Sequence, residues 1–244
     1  MHFTSSTRLS DGITERRFTF DGIPGILWTP PGGPAPLILM GHPGGLQAMH
    51  PRLLARARAS AELGFATAAI ELPGGGDRAR EPELDEARAD LRQALQHGDP
   101  VEGIVERLVL PLVDKAVPEW QAVLDGLLRL PDVTGPVGYS GGPIAVGVRL
   151  AAVDERIAAA GLFAGSYVPA STFDEARAVR IPLHVLLQWD DEGNDRGMAL
   201  DLFDAFASTE KTLYASMGGH RGVPPQAGED AGRFFVRHLL QPAG

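Results

Sequence analysis

The chain of 244 residues contains no cysteine, only two lysines and no long apolar run. Without cysteine it can form no disulfide, thiol nucleophile or thiolate metal site. With Lys115 and Lys211 as the whole lysine complement, a Schiff-base enzyme is not expected. No apolar run approaches the ~18–20 residues of a membrane helix, and residues 1–12 lack the apolar segment of a signal peptide. We therefore expect a soluble, cytoplasmic protein.

Basic charge is also scarce. Lys and Arg number 22 against 31 Asp and Glu, for a net charge of −9, and no basic block is present. Such a surface does not attract nucleic acid or an anionic membrane. No Gly-x-Gly-x-x-Gly follows the first predicted strands and no Gly-Lys-Ser/Thr occurs, which argues against a nucleotide enzyme. Paired His, Asp and Glu at metal-ligand spacing are missing too, so neither a metal nor a cofactor is expected.

Glycine and proline are abundant, at 30 and 20 residues. A disordered chain is not expected, because 44% of the residues are hydrophobic and only 22% are charged. The two residue types concentrate in four stretches, 22–45, 73–76, 135–147 and 218–228. Three of the four contain a candidate site element, so the surplus indicates tight loops around one site.

Short apolar strands alternate with helical patterns along the chain. Arg17–Phe20 and Ile23–Thr29 read as a hairpin around Asp21-Gly22. The further predicted strands are 37–40, 65–72, 134–139, 157–163, 183–189 and 211–216, and the predicted helices are 51–63, 119–130, 144–153, 197–207 and 228–240. Apolar strands that alternate with helices indicate a parallel sheet covered on both faces. The predicted class is α/β, in a single domain over residues 1–244.

Residues 77–118 interrupt this alternation. They contain two helical patterns and no strand signal, and they are too many for an ordinary loop. We interpret this stretch as a helical insertion, either a cap over the site or extra helices packed at the edge of the sheet.

Gly138-Tyr139-Ser140-Gly141-Gly142 matches the pattern G-x-S-x-G at the predicted end of a strand. A nucleophilic serine on a tight strand-to-helix turn needs small neighbours, because the backbone passes closely there. The helix that follows points N–H groups toward developing negative charge. Ser140 is therefore the candidate nucleophile and Gly141 a candidate oxyanion donor. The alternative interpretation is a glycine-rich turn without a catalytic role.

A nucleophilic serine needs a base, and the base needs an acid to orient it. Asp190 and Asp191 follow a predicted strand, and His220 follows the last one. The chain order Ser, Asp, His is the order of α/β-hydrolases. Adjacent residues of an extended segment point in opposite directions, so one of the two aspartates is the acid. Asp191 is preferred, and Asp190 is the alternative.

Gly41-His42-Pro43-Gly44-Gly45 directly follows a predicted strand, where an oxyanion loop belongs. Proline has no N–H, so Gly44 is the candidate donor there. Four apolar or aromatic residues at strand ends are candidates for the substrate pocket. They are Met40, Tyr139, Phe163 and Trp189.

These residues together resemble the α/β-hydrolase superfamily, in particular its dienelactone-hydrolase-like and bacterial esterase branch. The resemblance covers residues from about 18 to 240. It rests on His42-Pro43-Gly44-Gly45, Ala69–Gly74, Glu119-Trp120, Leu187–Glu192 and Gly218-Gly219-His220. It implies an eight-stranded, mostly parallel sheet and hydrolysis through an acyl-enzyme without a cofactor. The expected triad is Ser140, Asp191 and His220, acting on a small carboxylic ester, thioester or lactone.

The strand before Ser140 departs from the family pattern. An alignment without gaps places the serine position on Pro143, whereas an alignment that keeps Ser140 needs a shorter strand. The length of the following helix favours Ser140. The alternative is a chain of the same fold without the nucleophile, acting as a lyase, isomerase or cyclase, or as a small-molecule binder.

Overall fold

Nine strands form a single sheet in this computed structural model, which describes residues 1–220 and 222–240. In chain order the strands are β1 (His2–Arg8), β2 (Thr14–Phe20), β3 (Ile23–Thr29), β4 (Ala35–Gly41), β5 (Ala66–Ile70), β6 (Val133–Gly141), β7 (Ile157–Phe163), β8 (Leu183–Gln188) and β9 (Lys211–Ser216). The order across the sheet is β1-β2-β3-β5-β4-β6-β7-β8-β9. Pairs are antiparallel from β1 to β5 and parallel from β5 to β9. The mostly parallel α/β architecture is as predicted, with β1 as one strand beyond the expected eight.

Helices cover both faces of the sheet. They are α1 (Leu46–Glu62), α2 (Pro82–His97), α3 (Glu102–Leu127), α4 (Ile144–Val153), α5 (Ser171–Ala176), α6 (Arg196–Ala205) and α7 (Pro225–Phe235), with a π-helical segment over Val236–Leu240. Helices α3 and α4 pack over the largest core, around the fully buried Trp120, Leu124 and Val146. Helices α1 and α7 cover the other face, which we call the rear face, where Phe235 packs on Ile38 and Phe65.

The predicted hairpin is confirmed. Strands β2 and β3 pair from Thr14 opposite Thr29 to Phe20 opposite Ile23. The two residues between them, Asp21 and Gly22, both have positive φ, 49° and 82°. This left-handed backbone matches the twist of the flanking strands, and Asp and Gly tolerate it best.

The insertion consists of α2 and the first half of α3. The predicted helix over 119–130 is the end of α3, so insertion and core share one continuous helix of 26 residues. Its second half is buried at Val113, Val117 and Trp120 in the main core. The buried end therefore anchors the outer end, which continues toward the carboxyl ends of the strands. Within the described residues, no helix is both long and apolar enough to cross a membrane.

Candidate functional site

His220 and Asp191 meet at the carboxyl end of the parallel strands. Asp191 lies in the loop after β8 and His220 in the loop after β9, and Nδ1 of His220 lies 2.8 Å from Oδ2 of Asp191. The Asp191 side chain is 3% exposed, whereas that of His220 is 71% exposed. A carboxylate at Nδ1 selects the tautomer with its proton there. Nε2 is then free to accept a proton from a substrate, a water or a hydroxyl.

Asp190 holds the loop that carries His220. Its Oδ1 accepts the backbone N–H groups of Gly218, at 2.8 Å, and Gly219, at 2.9 Å. These two bonds hold the pKa of the Asp190 carboxyl below its usual range. Gln188 also fixes the loop, because its Nε2 donates to the carbonyl of Gly219. The structure thus brings Asp191 to the imidazole and gives Asp190 a separate set of partners.

Ser140 lies inside β6, one residue before the end of the strand. It pairs with Met40 on β4 and with Gly161 on β7. The strand-to-helix turn expected at Ser140 begins later, since β6 extends through Gly141. Gly161 faces Phe235 of α7 and lies beside the Ser140 hydroxyl. The Ser140 side chain therefore points to the rear face.

The Ser140 hydroxyl is bound by a half-buried arginine. Nη2 of Arg56, on α1, donates to Ser140 Oγ at 3.0 Å and to the Ser140 carbonyl at 2.8 Å. Nη1 donates to the carbonyl of Gly41 at 3.3 Å. Among the described residues, no hydrogen bond joins Ser140 to His220. The structure brings Asp191 and His220 together but holds Ser140 in a different set of contacts.

β6 is joined to α4 by a turn of Gly141, the last residue of the strand, with Gly142 and Pro143. Gly141 has a φ of 117°, and a Cβ there would lie 2.4 Å from the carbonyl oxygen of Gly41. Only glycine fits this close approach of two strands. The turn therefore carries no hydroxyl or thiol of its own.

The predicted oxyanion loop is hydrogen-bonded to the end of β5 and to the residue that follows it. His42 is buried, with Nε2 2.9 Å from the Ile70 carbonyl and Nδ1 2.5 Å from the Gly44 carbonyl. Oε2 of Glu71 accepts the N–H of Leu46 at 2.9 Å, where α1 begins. Gly44 reaches the pocket described next, whereas Gly141 is still paired in the sheet with Gly41 and Leu162. Their role as oxyanion donors stays a prediction.

A pocket of about 220 Å³, here called the edge pocket, opens above the carboxyl ends of the strands. Its lining includes Pro43 and Gly44 of the oxyanion loop, Pro143 of the turn, and Tyr167 after β7. Helix α3 supplies an apolar wall, formed by Leu108, Val109 and Leu112. The insertion thus borders this pocket, as the cap interpretation expects. Its movement as a lid stays a prediction.

The four predicted pocket residues lie in different places. The Phe163 ring packs edge-on against His220, with 5.7 Å between centroids. Trp189 is 40% exposed and stacks on Arg196. Met40 faces α1, and Tyr139 is fully buried beneath α4, where burial raises its pKa. Substrate contact stays a prediction for all four, and only the position of Phe163 favours it.

The main residues that the sequence did not reveal are Arg56 and the apolar wall of α3. Arg56 lies between Leu53 and Ala57, both of which are buried. The position of an arginine among the buried residues of a helix could have indicated this role. From the sequence, we instead interpreted the arginines of this helix as its solvent-facing side. Over residues 1–220 and 222–240, no three His, Cys, Asp or Glu side chains cluster closely enough to hold a metal ion.

Comparison with solved structures gives many matches. A cold-adapted esterase from an Arctic intertidal metagenomic library is 26% identical, with a TM-score of 0.77 over 98% of this chain and 100% of that one. A dienelactone hydrolase from Anabaena variabilis is 20% identical, with a TM-score of 0.63 over 96% and 98%. An acetyl xylan esterase from Paenibacillus sp. R4 is 16% identical, with a TM-score of 0.66 over 98% and 88%. No protein-family model and no curated protein matches the chain.

Proposed function

Because the chain has the α/β-hydrolase fold and resembles esterases and a dienelactone hydrolase of that fold, we propose that it hydrolyses a small carboxylic ester, thioester or lactone. The observation that carries the proposal is the 2.8 Å contact between His220 Nδ1 and Asp191 Oδ2, in the loops that follow β8 and β9. Such a pair is the acid–base part of ester hydrolysis. The apolar wall of α3 suits a short acyl or alcohol group.

In this mechanism Asp191 keeps the imidazole in the tautomer whose Nε2 accepts a proton. Ser140 attacks the carbonyl carbon while His220 takes the hydroxyl proton, and the N–H groups of Gly44 and Gly141 stabilise the oxyanion. His220 then protonates the leaving alcohol or thiol. A water activated by His220 releases the acid from the acyl-enzyme. No step needs a cofactor.

The attack by Ser140 has two structural requirements. Its hydroxyl must exchange the hydrogen bond from Arg56 for one to Nε2 of His220. It must also reach the substrate from within β6, because the turn of Gly141, Gly142 and Pro143 follows it. These two features favour a second candidate function. In that function the fold is kept without a serine nucleophile, and the chain is a lyase, isomerase, cyclase or small-molecule binder.

Turnover of p-nitrophenyl acetate and butyrate separates the candidates. We compare the wild type with Ser140→Ala and His220→Ala, and we use Ser60→Ala on α1 as a matched control. The acyl-enzyme mechanism predicts that both site variants lose turnover and that a fluorophosphonate adds its mass to the wild type but not to Ser140→Ala. Ser60→Ala should behave as the wild type.

Two other results would change the conclusion. Turnover that needs His220 but not Ser140, without labelling, would keep the hydrolase and replace the acyl-enzyme by direct attack of water. A folded wild type that neither turns over nor labels, yet is thermally stabilised by a small ligand, would support the second candidate.

A further inference from the structure

A larger cavity, of about 820 Å³, lies between α1 and α7 on the rear face, and we call it the rear cavity. Its apolar lining includes Ile38, Met40, Phe65 and Phe235. These side chains project from β4, from the start of β5 and from α7. The volume is within the range of small-molecule sites, and the mostly apolar lining is typical of them.

Three arginines line the rear cavity, and Arg56 is the one among them that is not exposed. The Arg56 side chain is half-buried and borders the rear cavity together with Ser140. Its three hydrogen bonds all go to neutral oxygens, the carbonyls of Gly41 and Ser140 and the Ser140 hydroxyl. Among the described residues, Arg56 forms no ion pair with a carboxylate, and its Nε makes no hydrogen bond. A half-buried guanidinium without a counter-ion is a favourable partner for an anion.

The surroundings of Arg56 point the same way. Removal from water, with Arg52 as a second cation nearby, lowers the Arg56 pKa to about 10, which leaves it charged at neutral pH. The carboxylates that line the cavity, Glu62 and Glu229, are exposed, and Glu229 lies 3.8 Å from Arg233. The exposed Arg237 also borders the opening. The two acids of the lining are thus at exposed positions, whereas Arg56 is half-buried.

We propose that the rear cavity binds an apolar monocarboxylate. Its carboxylate contacts the Arg56 guanidinium, and its hydrocarbon chain lies against Leu63 and Val236, the more accessible apolar side chains of the lining. The Nε–H and the second Nη1–H of Arg56 are not used in these three hydrogen bonds and can each donate to a carboxylate oxygen. The apolar walls suit an aliphatic or aromatic body. The site is separate from the edge pocket and does not depend on the proposed hydrolysis.

Calorimetric titration with sodium octanoate tests the proposal, with octan-1-ol as the uncharged ligand of equal chain length. Arg56→Gln removes the charge, and Ala59→Trp fills the cavity from α1 without changing Arg56. Arg52→Gln is the matched control, one turn earlier on α1 and outside the lining. We expect Arg56→Gln and Ala59→Trp each to weaken octanoate binding at least ~10-fold, as for the loss of a charged hydrogen bond. Arg52→Gln should bind within about threefold of the wild type.

His220→Ala should bind octanoate as the wild type does. This variant distinguishes the rear cavity from the edge pocket, where a carboxylic acid would bind as a product. Circular dichroism checks the fold of each variant, and Ala59→Trp decides the outcome if Arg56→Gln does not fold. Binding is measured without substrate, so a protein that fails to hydrolyse esters still tests the site.

Four results would overturn the proposal. They are no binding of millimolar octanoate by the wild type, unchanged binding by Ala59→Trp, equal affinity for octan-1-ol, and loss of binding in His220→Ala. Loss of ester hydrolysis together with Arg56-dependent octanoate binding would remove the proposed function and leave the rear cavity site intact.

Discussion

The edge pocket and the rear cavity lie on either side of the same strand ends, yet they obtain their polar groups differently. At the carboxyl ends of the strands, where the edge pocket also opens, the polar groups come from loops, with His220 largely exposed and paired to a buried Asp191. At the rear cavity Arg56 comes from a helix, and within the described residues its hydrogen bonds go to two backbone carbonyls and one serine hydroxyl. Loops can bring an acid and a base together and leave the base free to react. Arg56 instead joins the ends of two strands and holds an unpaired charge in an apolar site.

Ser140 is the residue through which the two regions meet. Along the chain it is one residue from Gly141, a predicted oxyanion donor, but its side chain belongs to the rear face. Because β6 continues through Gly141, Ser140 is held in the alternation of a strand and points to one face of the sheet, which is the rear face. The comparison is therefore best tested by changes that affect one region and spare the other.

The largest expected effect is that of His220→Ala. Loss of the general base should lower kcat for p-nitrophenyl acetate by ~10²–10⁴-fold. Octanoate binding in the rear cavity should not change. His97→Ala is the control, because His97 is an exposed histidine on α2. Full activity of His220→Ala would show that the edge pocket is not the place of proton transfer.

A change in the α3 wall should alter selectivity by a smaller factor. Leu108→Trp places a larger side chain in the edge pocket and should disfavour the longer acyl group. We expect the ratio of kcat/KM for p-nitrophenyl butyrate to that for acetate to fall about tenfold. Leu95→Trp is the control, on the exposed side of α2. An unchanged ratio in Leu108→Trp would mean that the acyl group binds elsewhere.

The sequence predicted the elements whose pattern is decided locally. The apolar runs of β4 and β7 and the two-residue turn at Asp21-Gly22 each have a signal that needs no distant contact. β1 had no such signal, because its side chains are mostly polar and exposed, apart from Phe3, which packs against Phe18. We did not predict from the sequence that α3 is one continuous helix. Its two halves have different surroundings, because one packs in the core and the other borders a pocket.

The candidate site was predictable to the same extent. Asp191 and His220 follow strands whose ends meet at one edge, so their contact follows from topology. Whether Ser140 lies in the strand or in the turn depends on where β6 ends, and sequence defines the ends of strands less well than their existence. Arg56 was not predictable, because its role depends on which carbonyls the sheet presents beneath α1.

Asp190→Ala should reduce activity by roughly threefold, as for the loss of an ordinary hydrogen bond. The variant leaves the N–H groups of Gly218 and Gly219 without their acceptor, so the loop holds His220 less firmly. Asp190→Asn keeps a side-chain oxygen at the same position and should restore most of kcat. Because Asp190 acts only through the loop, KM should stay within about twofold in both variants. A loss equal to that of His220→Ala, without rescue by Asn, would make Asp190 the acid in place of Asp191.

The smallest expected effect is a pH dependence of stability from the rear face. His184 lies in one row with Met40, Ser140 and Gly161, packed against Phe234. Burial lowers its pKa, and the opposing attraction of Asp230 is weaker. The unfolded chain therefore binds more protons below the ordinary histidine pKa of about 6.5, and stability falls as the pH falls through that value toward the folded pKa.

Urea unfolding at pH 7.5 and 5.5 measures this contribution. His184→Leu should lose less free energy of unfolding between the two pH values than the wild type, by at most about 1.4 kcal/mol per pH unit. The buried His42, whose pKa is also lowered, contributes equally to both proteins and cancels in the difference. His97→Ala, at an exposed position, should show the wild-type dependence. If His184→Leu also shows the wild-type pH dependence, the rear face does not keep the His184 imidazole neutral. The inferred low-dielectric surroundings of Arg56 would then lose the support of His184, which lies in the same row of the sheet as Ser140.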